Sequence, residues 1–403
     1  MDYIIKRRES KEVEKESGWL MIYGRRKTGK TFMLKNLCKF KNYFLVKKSL
    51  SIFTDNKTKT IEELIKEVRN LLEENNAVVI DEFQRLDESV LEEMMQSHPK
   101  GRLIVSGSSM RITKKFFDSR SPLLGFFTPM KIGLISPSDI LGGLKDLAAE
   151  NRIEFSAFLR EPWLIPLFSK EDISEFVYKV VTKSKYIVSS LMGEIFSEEE
   201  RELSKKYAAI LSLIGAGIWS TRELTTILYH RNLIPDPSPN HIIQYLKNLE
   251  GMELVESVKL HKSRNRCFYR LRSPVMNIYY YLDDRYDIGN RDIDFEEMEP
   301  TLKKLINFEI QNFVADFFAE KSSGRKEYFI SQSKEIDFII TQRKKPTVVG
   351  EVKWGEYRKK DIEKFKEKTK YIGGEKVFVV KEKTGIEDKE VKIIDAADMA
   401  KMA

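Results

Sequence analysis

The run Gly24-Arg25-Arg26-Lys27-Thr28-Gly29-Lys30-Thr31 carries the spacing G-x-x-x-x-G-K-[ST]. Glycines let backbone N–H groups approach phosphate oxygens, and a helix starting at the end of the run adds positive potential. Lys30 is expected to reach the β- and γ-phosphates of ATP and Thr31 to ligate Mg²⁺. Gly24, Arg25, Arg26, Lys27, Thr28, Gly29 and Phe32 would line the same nucleotide. Ala77-Val78-Val79-Ile80-Asp81-Glu82 supplies the complementary half, an apolar strand ending in two acids. Ligands of open α/β sheets bind at such strand ends. Asp81 would hold Mg²⁺ through water, and Glu82 would orient or deprotonate an attacking water. Leu103-Ile104-Val105 leads into Ser106-Gly107-Ser108-Ser109, where a polar residue either senses the γ-phosphate or caps a helix.

A second set of carboxylates lies near the other end of the chain. Glu351-Val352-Lys353 follows an apolar run, and residues two apart in a strand share a face, so Glu351 and Lys353 point the same way. Asp337 lies in the alternating segment Glu335-Ile336-Asp337-Phe338-Ile339-Ile340, and a hairpin through Arg343-Lys344-Lys345-Pro346 joins the two. Asp337 and Glu351 could then share one divalent cation, Mg²⁺ or Mn²⁺, with Lys353 beside the attacking water. That is the set that metal-assisted phosphodiester hydrolysis needs. Glu309 interrupts the apolar stripe Leu302, Leu305, Ile306, Phe313, Phe317, and a carboxylate there needs a partner or a metal. It is therefore the third expected metal ligand.

The elements that must position these groups follow from periodicity. Over residues 19–134, short apolar runs alternate with amphipathic stretches, which predicts buried strands of a parallel α/β sheet. Residues 136–198 turn helical and are expected to form a lid. Residues 199–287 read as a winged helix: helices over 207–214, 222–229 with Thr221 as cap, and 240–249, then strands over 254–260 and 266–271. The acidic stretch 283–299 looks like a linker. Residues from about 302 read helix, strand, strand, strand, helix, strand. The domain expectation is thus 1–135 nucleotide-binding core, 136–198 lid, 199–287 winged helix and 295–403 C-terminal α/β domain.

Asn240, Gln244 and Lys247 share one face of the third helix of the winged unit and are expected to meet a DNA groove or its phosphates. Lys262, Arg264 and Arg266 would make a basic wing whose contacts ignore sequence and weaken with salt. A net charge of +8 and a pI of about 9.0 agree with a polyanionic partner. Cys38 and Cys267 are the two cysteines, and the four histidines are scattered. That excludes a disulfide framework and a soft-ligand metal site, leaving hard cations on oxygens and a reducing, cytoplasmic setting. No stretch reaches the roughly 18 apolar residues of a membrane span, and residues 1–17 lack the apolar segment of a signal peptide. Heavy Lys and Glu usage is the composition of hyperthermophiles.

These segments resemble the archaeal ATPases of the AAA+/STAND-related group, in which a P-loop module precedes a winged helix and a nuclease-like C-terminal domain. Asp81-Glu82-Phe83-Gln84 and Gly107-Ser108-Ser109 look like that family's segments, as does Pro122-Leu123-Leu124-Gly125-Phe126. Phe126 stands where the family usually has Arg, which leaves Arg111 and Arg120 as candidates for an arginine finger. Glu309, Asp337, Glu351 and Lys353 resemble the PD-(D/E)XK nuclease pattern in order and spacing. The resemblance implies an ATP-dependent, DNA-processing enzyme with Mg²⁺ or Mn²⁺ at its nuclease site. Two rival readings are a nucleotide-controlled signalling or defence switch that assembles as a homo-oligomer, and a DNA-binding regulator whose C-terminal domain does not cut.

Overall fold

In a computed structural model, residues 3–95, 100–108, 117–119, 121, 123–183, 185–199, 201, 203–263, 266–331 and 334–403 are described. Ser109, Arg111, Arg120, Pro122 and Arg264 lie outside the described residues. The chain divides into two compact units: Lys6–Ile135 with Leu191–Glu202, and Met1–Ile5 with Ser136–Ser190 and Leu203–Ala403.

The first unit is built on a seven-stranded sheet of order β4-β3-β2-β5-β6-β1-β7. The apolar runs form β1 (Trp19–Tyr23), β2 (Asn42–Val46), β5 (Ala77–Asp81) and β6 (Arg102–Gly107), and a fifth parallel strand, the largely exposed β7 (Phe127–Lys131), is added at the β1 edge. An antiparallel extension, β3 (Ile52–Thr54) and β4 (Lys57–Lys59), is added at the β2 edge. Met21, Val78, Ile80, Leu103 and Val105 pack one face of the sheet; Leu20, Ile22, Val79 and Ile104 pack the other. Burial on both faces is what continuous apolar runs encode. Helices α1 (Arg8–Lys15), α2 (Lys30–Phe32, continuing as a π-turn over Met33–Leu37), α3 (Ile61–Glu73) and α4 (Glu88–Met95) belong to this unit. Thr60 and Glu63 form a capping box that fixes the start of α3.

The second unit opens with helices α5 (Pro137–Gly143), α6 (Ala149–Leu159) and α7 (Ile173–Lys183), followed by α8 (Lys185–Glu198), which ends in the first unit. The expected lid therefore needs correcting: residues 136–190 build into the C-terminal unit, where α6 packs on the long helix Phe295–Lys321 and the last helix, Ala396–Met402. Helices α9 (Lys205–Gly215), α10 (Thr221–His230) and α11 (Asn240–Gly251) come next, then strands β8 (Val255–Leu260) and β9 (Cys267–Leu271). Ser220, not Thr221, caps α10: its hydroxyl accepts from Glu223 N–H. The acidic stretch expected as a linker is mostly helical, since α12 (Pro274–Tyr286) and α13 (Phe295–Lys321) occupy much of it.

After α13 come β10 (Arg325–Ile330), β11 (Glu335–Gln342), β12 (Lys345–Lys353), α14 (Lys359–Thr369), β13 (Glu375–Val380), β14 (Lys392–Ile394) and α15 (Ala396–Met402). The sheet order is β14-β13-β12-β11-β10-β8-β9. The β8–β9 hairpin thus extends the C-terminal sheet, because β8 pairs in parallel with β10 through Glu327↔Lys259 and Tyr328↔Leu260. The boundary expected between residues 287 and 295 does not divide the sheet. A half-buried ionic network also joins its parts: Lys326 reaches Asp316 (2.6 Å) and Glu256 (3.2 Å), and Arg160 reaches Asp316 (2.7 Å).

Candidate functional site

Parallel pairing brings the ends of β1, β5 and β6 together, with Tyr23 beside Gly107 and Asp81 beside Ser106. Gly24 turns the chain out of β1. A Cβ there would lie 1.9 Å from the Ile132 carbonyl oxygen, so no larger residue fits. Lys27 (φ 66°) and Gly29 (φ 84°) take left-handed conformations, and Lys30 starts α2. The Lys30 ammonium is buried and donates to the carbonyls of Gly24 (2.8 Å) and Arg25 (3.0 Å), spanning the loop. Thr28 Oγ1 donates to Arg25 O (2.8 Å), and Arg7 Nη1 donates to Thr28 O (2.7 Å). Arg25 is buried, Phe32 is exposed, and Arg26 Nε lies 2.6 Å from Glu194 Oε2.

Thr31 Oγ1 donates to Asp81 Oδ2 at 2.7 Å, so the expected pair of Mg²⁺-side groups is in contact. Tyr43 on β2 donates to the same oxygen at 2.6 Å. Burial, reinforced by the Asp81 charge, holds the Tyr43 phenol protonated far above its usual range. Asp81 Oδ1 accepts from Glu82 N–H (3.0 Å). Glu82 sits in the left-handed region (φ 60°), and its Oε2 accepts from Gln84 Nε2 (2.9 Å) and pairs with Arg85 (2.9 Å). Gln84 Nε2 also donates to Ser108 Oγ (3.0 Å), which ties Glu82 to the polar end of β6. Arg7, Tyr43, Gln84 and Arg85 were not legible as site residues: nothing in spacing marks a buttress supplied from a neighbouring strand or turn.

The second site lies on the β11–β12 hairpin. Its turn is the pair Arg343 (φ 49°) and Lys344 (φ 68°), and Pro346 already belongs to β12. Two positive φ values are the mark of a type I′ turn, which matches strand twist. Phe338 faces Gly350, so one step further along the ladder Asp337 faces Glu351. Asp337 Oδ2 accepts from Val352 N–H (2.7 Å). Burial pushes the Asp337 carboxyl up to about 7; Val352 N–H opposes the rise, and the Glu351 charge adds to it. Both Glu351 oxygens accept from Lys368 Nζ at 2.9 Å, a partner on α14 that sequence reasoning missed. Lys353 is exposed at the end of β12 and borders an open cavity of about 370 Å³ with Asn307, Gln311, Trp354 and Glu356.

Glu309 does not join them. Its Oε2 accepts from Arg270 Nη2 (2.7 Å) and its Oε1 from Asn277 Nδ2 (2.7 Å). Burial raises its pKa, and Arg270 and Asn277 oppose that rise. The carboxylate in the apolar stripe is thus explained by a protein partner, and the expected third metal ligand is withdrawn. Among the described residues no three His, Cys, Asp or Glu side chains gather as a metal cluster. The donor set left for a cation is the facing pair Asp337 and Glu351.

On α11, Asn240, Gln244 and Lys247 are exposed, and Gln244 donates to Asn248 Oδ1 (3.0 Å). Lys262 and Arg266 are exposed at the β8–β9 tip. The tip is anchored by His261, whose ring lies 2.7 Å from Glu327 Oε2 and whose N–H donates to Tyr328 O (2.7 Å). Among the described residues no helix is long and apolar enough to cross a membrane.

Residues 16–132 match the family described as an AAA domain. No curated protein matches the chain. Among solved structures, a Walker-type ATPase of Pyrococcus abyssi is similar at 20% identity, covering 69% of this chain and 96% of its own, with a TM-score of 0.51. The ORC2 protein of Aeropyrum pernix, in ADPNP–ADP complexes, shows 16% identity over 75% of this chain and 90% of its own, TM-score 0.37. The ORC1 protein of Aeropyrum pernix in complex with DNA shows 10% identity over 71% and 95%, TM-score 0.31. The first of these likenesses speaks to the fold, an α/β P-loop NTPase arrangement with accompanying helices.

Proposed function

We propose that this chain binds and hydrolyses ATP, contacts DNA through its three-helix and hairpin segment, and carries a metal-dependent nuclease site at Asp337 and Glu351. One observation carries the ATPase part: the Thr31 hydroxyl and the Asp81 carboxylate, separated by fifty residues in sequence, meet at 2.7 Å beside the loop that holds Lys30. A hydroxyl and a carboxylate are hard oxygen donors, which suit Mg²⁺. Bound there, Mg²⁺ would neutralise charge on the phosphates. Lys30, which donates to the carbonyls of Gly24 and Arg25 inside the loop, is the cation that meets the phosphates. Glu82 orients the attacking water, and its bonds to Gln84 and Arg85 fix its carboxylate beside Asp81.

The order α9-α10-α11-β8-β9 is that of a winged helix, and the exposed polar face of α11 supports the DNA reading. At the hairpin site, two facing carboxylates, one of them pushed up to about 7, are the groups that a divalent cation would hold ionised. The metal would polarise the phosphate and the attacking water. Lys353 would stabilise the developing negative charge. One observation favours the second reading, a C-terminal domain that binds without cutting: Glu309 is committed to Arg270 and Asn277, so two carboxylates remain rather than three.

The test is a paired assay of ATP turnover and DNA cleavage with Mg²⁺ or Mn²⁺. Lys30→Ala should abolish turnover, and Glu82→Gln should bind ATP but hydrolyse it slowly. Asp337→Ala and Glu351→Ala should lose cleavage and keep turnover. Wild type that cuts no faster than these two variants would leave the switch reading in first place.

A further inference from the structure

Helix α14 crosses the hairpin site, burying Ile362, Phe365 and Thr369 against the sheet. At about 100° per residue, Lys360, Lys364 and Lys368 fall in a row on one flank. Lys368 ends that row on Glu351. Glu363 and Glu367, three residues on from Lys360 and Lys364, border that row on the side away from Lys368. Lys366 is engaged elsewhere, with Asp388 at 3.1 Å. Between residues 358 and 371 seven basic residues stand against three acidic ones. Lys360 and Lys364 are exposed, and neither forms an ion pair among the described residues. Tyr371 stands two residues past the end of the helix with 80% of its surface exposed, the highest among the exposed large hydrophobic residues. Lys370 stands over its ring at 5.7 Å.

We propose that Lys360, Lys364 and Tyr371 form a track that seats a single strand of nucleic acid and leads it to Asp337 and Glu351. The proposal rests on the nuclease reading of that site. Two features select the occupant. The lysines offer positive charge to a polyanion, ending at the carboxylates where a phosphodiester would be held. An exposed aromatic ring needs a base with a free face, which an unpaired strand offers and a continuous duplex does not.

The test is fluorescence anisotropy of the full chain with a labelled oligothymidylate of about a dozen nucleotides, within the range of single-strand site sizes. EDTA is present so that binding is read without cleavage. Lys360→Ala with Lys364→Ala should weaken binding and flatten the salt slope by about 1.4, at roughly 0.7 per lost phosphate contact on a single strand. Tyr371→Ala should weaken it roughly tenfold, while Tyr371→Phe, which keeps the ring face, should stay within about twofold. An unchanged thermal unfolding midpoint in each variant shows that the fold is kept. Unaltered affinity and slope in the variants would overturn the track. So would polyglutamate or a blunt duplex competing as well as the single strand, the first pointing to an acidic protein instead. A wild type that binds through these residues but cuts nothing would retire the nuclease reading and keep the track.

Discussion

Asp337→Asn should stabilise the protein at pH 8 when no metal is present. The side chain keeps an oxygen for Val352 N–H, which Asp337 now serves at 2.7 Å. In the folded chain the Asp337 carboxyl is pushed up from 3.8 to about 7, chiefly by burial. An acid raised on folding contributes fully below its unfolded pKa, and that contribution is lost as pH rises from about 4 through about 7. The gap of roughly three pKa units corresponds to about 4 kcal/mol at 1.36 kcal/mol per unit. Solvent still reaches part of Asp337, so about half of that, ~2 kcal/mol, is the expected gain at pH 8. The assay is thermal unfolding of wild type and variant at pH 4.5 and pH 8 in EDTA, then at pH 8 with Mn²⁺. The variant should melt a few degrees higher at pH 8 in EDTA, with most of the difference gone at pH 4.5. Mn²⁺ should reverse the order, since a ligand at about 100 times its Kd adds about 2.7 kcal/mol to the chain that binds it. A variant that melts lower than wild type at pH 8 in EDTA, or a difference independent of pH, would refute the reasoning.

Tyr43→Phe removes one of the two hydroxyls on Asp81 Oδ2. ATP turnover should fall about tenfold, as for the loss of a hydrogen bond to a charged group, and more Mg²⁺ should be needed for half-maximal rate in a titration. Glu309→Gln takes from the buried Arg270 guanidinium its nearest counter-charge and leaves only Glu256, at 3.9 Å, within ion-pair distance among the described residues. It should cost about 3–5 kcal/mol in urea unfolding, and Glu309→Leu combined with Arg270→Met should cost less than that. Arg266→Ala should weaken duplex DNA binding at every sequence and flatten the salt slope by about 0.9; an unaltered slope would take the hairpin tip off the backbone.

The strands that hold the phosphate loop were legible because each is a continuous apolar run, and burial on both faces leaves few other solutions. Asp337 and Glu351 were legible for a different reason. A hairpin ties the two strands together locally, which keeps the two carboxylates close, but their exact pairing depends on a β-bulge between Ile340 and Thr341, since strict counting from the turn would set Asp337 against Gly350. Glu309 was misread because its partners, Arg270 and Asn277, lie 39 and 32 residues away in sequence and carry no local signal. The strands β3 and β4 escaped notice: they are three residues each, and β4 is Lys-Thr-Lys, without an apolar period. The linker expected over residues 283–299 was an inference from acidity, but acids near a helix N-terminus are stabilising there, as Glu296 and Glu297 are in the first turn of α13. Lys368 could not be singled out because it is one lysine among many, and its meaning comes from the helix that carries it over Glu351.

The parallel pairing of β8 with β10 bears on how the chain can be taken apart. A fragment cut after residue 287 would carry β8 with one side unpaired, and a fragment starting at 295 would carry β10 the same way. Each would present open N–H and C=O groups along an apolar strand, since Val258, Leu260 and Tyr328 pack together in one cluster. Unpaired edges of that kind recruit other chains. Insoluble or domain-swapped material from such fragments would therefore report a severed sheet and say nothing about whether either half can work in the intact protein.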